Sequence, residues 1–352
     1  MRLQPLLAVA RVAATYAGTL IGAGFASGQE ISQFFASYGS AGLLGIGVST
    51  ILFAWLGTFL LELGYQLKAS AYSPVIYHIC GRHLGIVIDF ITSIFLFITL
   101  AIMLAGAATV LHDYLGLAYL TGLALAAVIV IVTVAFGVNG ISTANLIIAP
   151  LLILSILFIS GYSLLYHSFT PNMLQTIAPV TNPATPHWLL GSLLYASYNL
   201  VMGATVLVPL GAYVTSRKVR RLGGLAGGIV LGLIAAFLAV VLLIHYPAAL
   251  KYEVPILQIA AAQYKWSSAI YSYTLLAAMY TTAIASLYGC SVKVTQTTKI
   301  NSTTAILIIT ILALVFSNLG FAALIRLMFP LFGYATLFFT FRLAWVSFRG
   351  IR

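Results

Sequence analysis

The sequence predicts an all-α integral membrane protein, and its composition, its long uncharged stretches and its continuous apolar runs all favour that class. Of 352 residues, 62% are hydrophobic and 6% are charged, and the mean hydropathy is +1.10. Residues 114–216 contain no Asp, Glu, Lys or Arg, which is enough for several spans of about 20 residues each. Because the apolar runs are continuous rather than alternating, a β-barrel is not predicted.

Ten transmembrane helices are predicted from the apolar runs, and the first and sixth of them are predicted to be interrupted. The predicted spans cover residues 6–37, 40–67, 86–111, 117–138, 143–166, 187–213, 222–246, 266–290, 302–319 and 321–345. The starts of corresponding spans keep an offset of about 180 residues, as in 40 and 222 or 143 and 321. Five spans is an odd number, so the second set enters the membrane in the opposite orientation. The sequence therefore predicts one transporter domain, residues 1–352, made of inverted repeats at about 6–166 and 187–345.

The basic residues predict the orientation. Thirteen of them fall on the side that holds both termini, and only Lys251 and Lys265 fall in loops on the other side. By the positive-inside rule that first side is the cytoplasm. The net charge of +11 is thus explained by topology and the lipid bilayer, and no nucleic-acid partner is predicted. No obligate protein partner is evident.

Residues 18–30, with the sequence GTLIGAGFASGQE, place four glycines and a carboxylate inside the first predicted span. Backbone opened at membrane depth is tolerated where protein or a water-filled cavity satisfies it. We therefore expect a broken helix lining a binding site, in which the amides of Gly22, Ala23 and Gly24 hold a substrate carboxylate. The alternative is that the glycines only allow close helix packing through small-xxx-small patterns.

The second break is predicted within residues 197–203, where Asn199 would need a partner in the membrane. Carbonyl groups freed near Tyr198 and Asn199 would receive an ammonium group, and Phe25 and Tyr198 are candidate walls of the pocket. The alternative is a continuous helix with one tolerated glycine and a kink near Pro209.

The GAGFASGQE run resembles the opening motif of the YkvI-type family of bacterial membrane proteins, within the amino acid-polyamine-organocation (APC) superfamily. Members of that superfamily are similar to the sodium-coupled leucine transporter LeuT in having five-plus-five inverted repeats. The resemblance covers essentially the whole chain and implies a LeuT-like fold with a central site, in the bacterial cytoplasmic (inner) membrane. It supplies no substrate.

In span eight, Ala278, Thr281 and Thr282 present a carbonyl and two hydroxyls on one helical face, which suits sodium. The pattern resembles the sodium-binding Ala-x-x-(Ser/Thr)-(Ser/Thr) run of LeuT-like transporters. The resemblance implies that the carbonyls of Gly18 and Ile21 complete the site. The alternative is that each threonine hydroxyl bonds back to its own helix.

Charges inside the predicted spans are candidates for function because each is costly there. Glu30 and Arg326 are predicted to form an ion pair that closes the outer pathway, or else to reach the outer interface separately. Glu62 resembles a glutamate that in LeuT-like proteins reaches the sixth span, which implies a role in coupling.

These patterns predict a secondary active transporter of a small amino acid or related zwitterion or carboxylate, with sodium as the coupling ion and no other cofactor. The alternatives are proton-coupled transport of another small organic solute, or a receptor or sensor that reuses the transporter fold. No paired carboxylates, nucleophile elbow, phosphate loop or metal motif occurs, so no enzymatic activity is predicted.

Overall fold

The structure, a computed structural model, describes residues 3–69, 71–136, 141–167 and 184–349. The described residues form helices and no strand. The α-helices are α1 (Leu3–Leu20), α2 (Ala23–Ser27), α3 (Gln29–Phe34), α4 (Ser40–Leu52), α5 (Thr58–Gln66), α6 (Ser73–Leu115), α7 (Tyr119–Phe136), α8 (Ile141–Tyr166), α9 (Trp188–Tyr213), α10 (Arg217–Ile244), α11 (Pro255–Gln263), α12 (Lys265–Thr297), α13 (Ser302–Ser317) and α14 (Phe321–Arg349).

Six of the described helical segments are long and apolar enough to cross a membrane, and four further apolar helices are shorter. The long segments are Ser40–Gln66, which joins α4 to α5 through a π-helical turn at Phe53–Gly57, and helices α6, α9, α10, α12 and α14. The all-helical class and the multi-pass membrane character predicted from the sequence are thus confirmed.

The first predicted span is interrupted at the expected place. Helix α1 ends at Leu20 and α2 begins at Ala23. Between them, the Gly22 amide turns back to the Leu20 carbonyl at 2.9 Å instead of continuing the helix. Gly28 then separates α2 from α3, and its φ of 88° is a left-handed conformation that glycine adopts without a steric cost.

The predicted interruption of the sixth span is wrong. Helix α9 runs without a break from Trp188 to Tyr213 and includes Pro209. The Asn199 amide is satisfied inside the helix, because its Nδ2 donates to the Tyr195 carbonyl at 2.9 Å. Ser197 likewise donates to the Leu193 carbonyl at 2.7 Å. With these partners one turn away, the polar side chains do not require the backbone to open.

Several helices extend beyond the predicted bounds on the predicted cytoplasmic side. Helix α10 starts at Arg217, because the Ser216 side chain accepts a bond from the Val219 amide and caps it. Helix α6 starts at Ser73 with a proline in its first turn, and it changes direction at Gly81, where φ is 75°. Helix α11, outside the predicted spans, lies between α10 and α12.

Helices α1, α5, α9 and α10 form one packed group, since α1 packs on α10 and α5 packs on both α9 and α10. Close approach within this group depends on glycine. A Cβ at Gly64 would lie 2.0 Å from the Val208 carbonyl oxygen, so α5 and α9 meet backbone to backbone there. The buried Tyr16 hydroxyl of α1 donates to the Phe53 carbonyl at 2.8 Å, at the start of the π-helical turn. Within this group the helices therefore meet through a small residue in one place and a buried hydrogen bond in another.

Candidate substrate and ion site

The break between α1 and α2 leaves backbone groups without helical partners. The first backbone bond of α2 runs from the Ala26 amide to the Gly22 carbonyl, so the amides of Ala23, Gly24 and Phe25 have no acceptor within their own helix. The Gly22 amide, predicted to be part of the anion site, instead donates to the Leu20 carbonyl. A Cβ at Gly22 would meet no atom within 4 Å, so there is open space beside the break.

Short helices α2 and α3 are held in place by long-range hydrogen bonds. The buried Tyr271 hydroxyl of α12 donates to the Ala26 carbonyl at the end of α2. At the start of α3, Gln29 Nε2 donates to the carbonyls of Tyr252 and Glu253, each at 3.0 Å. The α2–α3 segment is therefore tied to the second half of the chain on both sides of Gly28.

Glu30 lies inside the protein, on the first turn of α3, with 6% of the residue exposed. The Tyr198 hydroxyl of α9 donates to Glu30 Oε2 at 2.6 Å. The other carboxyl oxygen lies against α2, where a Cβ at Gly24 would be 2.2 Å from Glu30 Oε1. The carboxyl group therefore bridges α2, α3 and α9.

The predicted ion pair between Glu30 and Arg326 is not formed in this structure. Arg326 is exposed on α14, while Glu30 is buried and bonded to Tyr198. The ion pairs among the described residues join other partners. Because α14 turns the Arg326 side chain outward, the two charges face different surroundings.

An aromatic cluster surrounds Tyr198 and joins α3, α6, α9 and α14. The ring centroids of Tyr198 and Phe329 are 5.1 Å apart, and those of Phe95 and Phe332 are 4.4 Å apart. Phe34 lies 5.8 Å from Tyr198. Pairs at these spacings are favourable beyond their burial. The cluster thus packs around the tyrosine that donates to Glu30.

The remaining predicted pocket residues have structural partners. Phe25 is fully buried in α2, so its ring packs in the protein core. Because α9 is unbroken, the carbonyls near Tyr198 and Asn199 belong to helical backbone and are not free to receive an ammonium group. That part of the sequence prediction is wrong, and the polar group that the structure places beside Tyr198 is Glu30.

The predicted sodium ligands of span eight lie together on α12. The hydroxyls of Thr281 and Thr282 both donate to the Ala278 carbonyl, at 3.1 Å and 2.8 Å. Each hydroxyl oxygen keeps its lone pairs, which are the groups that a cation would use. The Gly18 carbonyl has lost its usual helical donor, because the Gly22 amide bonds to Leu20. The Ile21 carbonyl precedes the first backbone bond of α2 and is also without a donor from that helix.

A second charged site joins α5 to the end of α9. Glu62 accepts bonds from Arg220 Nε at 3.0 Å and Nη2 at 3.2 Å, while Arg217 lies 4.0 Å away. Arg220 also donates to the carbonyls of Val214 and Thr215, at 2.6 Å and 2.8 Å. Glu62 therefore reaches the sixth span through Arg220.

Two contacts of the candidate site, between Arg220 and Tyr65 and between Tyr198 and Glu30, could not be predicted from the sequence. Arg220 is 2% exposed, although it lies in the basic run of residues 217–221. Its guanidinium lies 3.7 Å from the centroid of the Tyr65 ring. Tyr198 was expected to form a pocket wall, and its bond to Glu30 joins positions 168 residues apart. No local pattern signals either contact.

The fold resembles those of several solved transporters. The inward-facing structure of Mhp1 matches with a TM-score of 0.64 at 14% identity, over 86% of this chain and 68% of that one. MhsT in complex with L-phenylalanine matches with a TM-score of 0.61 at 17% identity, over 98% and 88%. The Eremococcus coleocola manganese transporter matches with a TM-score of 0.59 at 17% identity, over 88% and 69%. The chain thus has the fold of LeuT-type transporters.

Two Bacillus subtilis (strain 168) proteins are similar along nearly the whole chain. The uncharacterized protein YyaD is 27% identical over 324 residues, covering 91% of each sequence. The uncharacterized membrane protein YkvI is 30% identical over 334 residues, covering 94% of this chain and 93% of the relative. No family model matches the sequence. On the strength of this similarity, the chain belongs to the family of the membrane protein YkvI.

Proposed function

We propose that the protein is a secondary active transporter that moves a small amino acid, or a related zwitterion or carboxylate, by alternating access. One observation carries the proposal: in a chain with a transporter fold, the first span opens at residues 21–22 and leaves free space beside Gly22. Open backbone inside a membrane protein is stable only where it lines a site or a cavity. The substrate carboxylate meets the free amides of Ala23, Gly24 and Phe25.

Sodium is the proposed coupling ion. It binds to the Ala278 carbonyl and the hydroxyls of Thr281 and Thr282, together with the carbonyls of Gly18 and Ile21. Hydroxyl and carbonyl oxygens suit a hard cation. Support comes from the two unpaired carbonyls at the break and from the packing of α2 against α12.

The proposed topology is ten spans in two inverted sets of five, with both termini in the cytoplasm and the protein in the bacterial inner membrane. The four shorter apolar helices supply the spans beyond the six long ones. The breaks are not symmetrical in this arrangement, because α9 is continuous where the first span is open.

The ion site is tested by thermal unfolding of the purified protein in sodium and in potassium at equal ionic strength. We expect sodium to raise the melting temperature, since a ligand that binds the native state stabilises it. Thr281→Ala and Thr282→Ala should each weaken the effect. Thr274→Ala is the matched control. Its hydroxyl also bonds back to carbonyls of α12, but Thr274 is not one of the proposed sodium ligands. An unchanged sodium effect in the double variant would contradict the site.

Transport itself is tested by uptake of a radiolabelled amino acid panel into proteoliposomes, with and without a sodium gradient. We expect concentrative uptake of one or a few small amino acids. Gly22→Leu should abolish substrate binding, because its side chain would fill the open space beside the break. Binding without uptake in the unmodified protein would instead indicate a sensor.

A further inference from the structure

Glu30 is a buried carboxyl group that forms no ion pair with any residue the structure describes. Its polar contact is the Tyr198 hydroxyl, at 2.6 Å from Oε2. Each ion pair of the described residues involves another carboxylate, either Glu62 or Asp89. An ionised carboxylate in such a site costs free energy, and a buried carboxyl group commonly avoids this cost by binding a proton.

The helices packed on α3 offer no cation to Glu30. From α9, the titratable groups that face it are the hydroxyls of Tyr198 and Tyr195. On α14, Arg326 is exposed and unpaired with Glu30. The basic residues of α10, which are Arg217, Lys218, Arg220 and Arg221, all lie in its first turns, where Arg220 is bonded to Glu62. Helix α2 carries no titratable side chain. The chemistry around Glu30 therefore favours a neutral carboxylic acid.

We propose that Glu30 is a proton-binding site, and that its proton decides whether the outer half of the first span, α2 and α3, stays packed against α9. The proton enters from water and bonds to a carboxylate oxygen, and it leaves to water when the segment moves. This inference rests on the proposed transport function, and it makes the proton a second coupling ion beside sodium.

The geometry supplies the link between proton and movement. With its proton, Glu30 is a neutral group that fits between Gly24 and Tyr198 under the aromatic cluster. Without it, the carboxylate regains hydration only if α3 separates from α9. Since the same carboxyl touches α2, its departure also changes the surroundings of the break in the first span.

The site is tested directly by infrared difference spectroscopy of the full-length protein between mildly acidic and alkaline pH. The chain has only five acidic side chains, so a protonated carboxyl band can be assigned by substitution. We expect a carboxylic acid band at neutral pH that is absent in Glu30→Gln and present in Glu62→Gln. Tyr198→Phe should shift the pH at which the band disappears, which tests the site even where Glu30→Gln folds poorly.

Thermal unfolding gives an independent readout. A buried acid that keeps its proton in the native state but loses it in the unfolded chain makes stability fall as pH rises. The melting temperature should therefore drop by about 2 °C per pH unit above the range in which an exposed glutamate ionises. Glu30→Gln should remove this slope, and Glu253→Gln, which keeps an acceptor oxygen for the Ala322 amide, should leave it.

Two outcomes would overturn the proton site: a Glu30 that is ionised throughout the neutral range, or a Glu30 band that responds to sodium or an amino acid but not to pH. The second outcome would indicate a bound cation in place of the proton. The proposed function fails separately, if no solute is taken up while the Glu30 band titrates as expected. Uptake that is driven by sodium and independent of pH would retain the transporter and reject the proton coupling.

Discussion

Glu30 and Glu62 are both glutamates in helices of the membrane region, but the partner of Glu30 is uncharged and the partners of Glu62 are cations. Glu30 accepts one hydrogen bond from an uncharged tyrosine, whereas Glu62 faces two arginines. Glu62 and Arg220 together tie α5 to the end of α9 and neutralise each other. No cation among the described residues pairs with Glu30. Glu62 is thus held in an ion pair, whereas the charge of Glu30 depends on whether its carboxyl group carries a proton.

The largest effect on stability is expected from breaking the ion pair between Glu62 and Arg220. Glu62→Gln leaves the Arg220 guanidinium buried with two carbonyl acceptors and no anion, which should cost about 3 kcal/mol of unfolding free energy. Denaturant titration in detergent measures the loss. Arg217→Gln is the control, since that side chain is exposed and 4.0 Å away, and it should cost less than about 1 kcal/mol. If both variants lost equally little unfolding free energy, the ion pair between Glu62 and Arg220 would not stabilise the fold.

The next effect concerns the contact between Glu30 and α2. In Gly24→Ala the new Cβ would overlap Glu30 Oε1, so the carboxyl must move within a packed region at a cost of about 2 kcal/mol. Gly22→Ala is the matched control, because its Cβ meets open space, and it should change stability by less than about 0.5 kcal/mol. Thermal unfolding compares the two, and equal losses would place no special contact at Gly24.

A smaller effect is expected from the hydrogen bond to Glu30. Tyr198→Phe removes the donor and leaves a buried acceptor unsatisfied, which should cost about 1 kcal/mol. Tyr195→Phe is the control in the same aromatic cluster, because no hydrogen bond of its hydroxyl is found in the described part of the chain. A loss of the same size in both variants would attribute the effect to packing rather than to Glu30.

The smallest effect has the opposite pH dependence to that of Glu30. Burial, and then the neighbouring His167, lower the pKa of His245, whose Nε2 lies 3.1 Å from Ser163 Oγ. The native ring stays neutral where the unfolded chain takes up a proton, so stability falls as pH falls below about 6.5. His167→Gln should reduce this decline. The shift in melting temperature should be less than about 2 °C, and a decline unchanged in both His167→Gln and His245→Gln would exclude the pair as its cause.

The break in the first span could be predicted from the sequence because glycine destabilises a helix at the position where it occurs. Four glycines in an apolar helix cost stability that a continuous span would not need to lose. The same reasoning failed for α9, where Asn199 was expected to mark a break. Its amide reaches the Tyr195 carbonyl of its own helix, and that choice between an internal and an external partner is not visible in the local sequence.

The candidate site shows the same division. Ala278, Thr281 and Thr282 are neighbours on one face because helical periodicity puts them there, and the structure has them on one helix. The partner of Glu30 was predicted as Arg326 from opposite charge and from the position of both residues on the outer part of their spans. Which face of α14 turns inward depends on packing against α6 and α9, and that packing leaves Arg326 outside.

The sequence by itself determined the helical membrane class, the opening of the first span and the grouping of hydroxyls on α12, since each follows from hydropathy or helical spacing. Only the tertiary structure decided the pairing of Glu30 with Tyr198 and of Glu62 with Arg220, which join residues more than 150 positions apart. The physical reason is that burial and hydrogen-bond partners depend on how helices rotate and pack. Those rotations are fixed by the sum of many contacts across the fold.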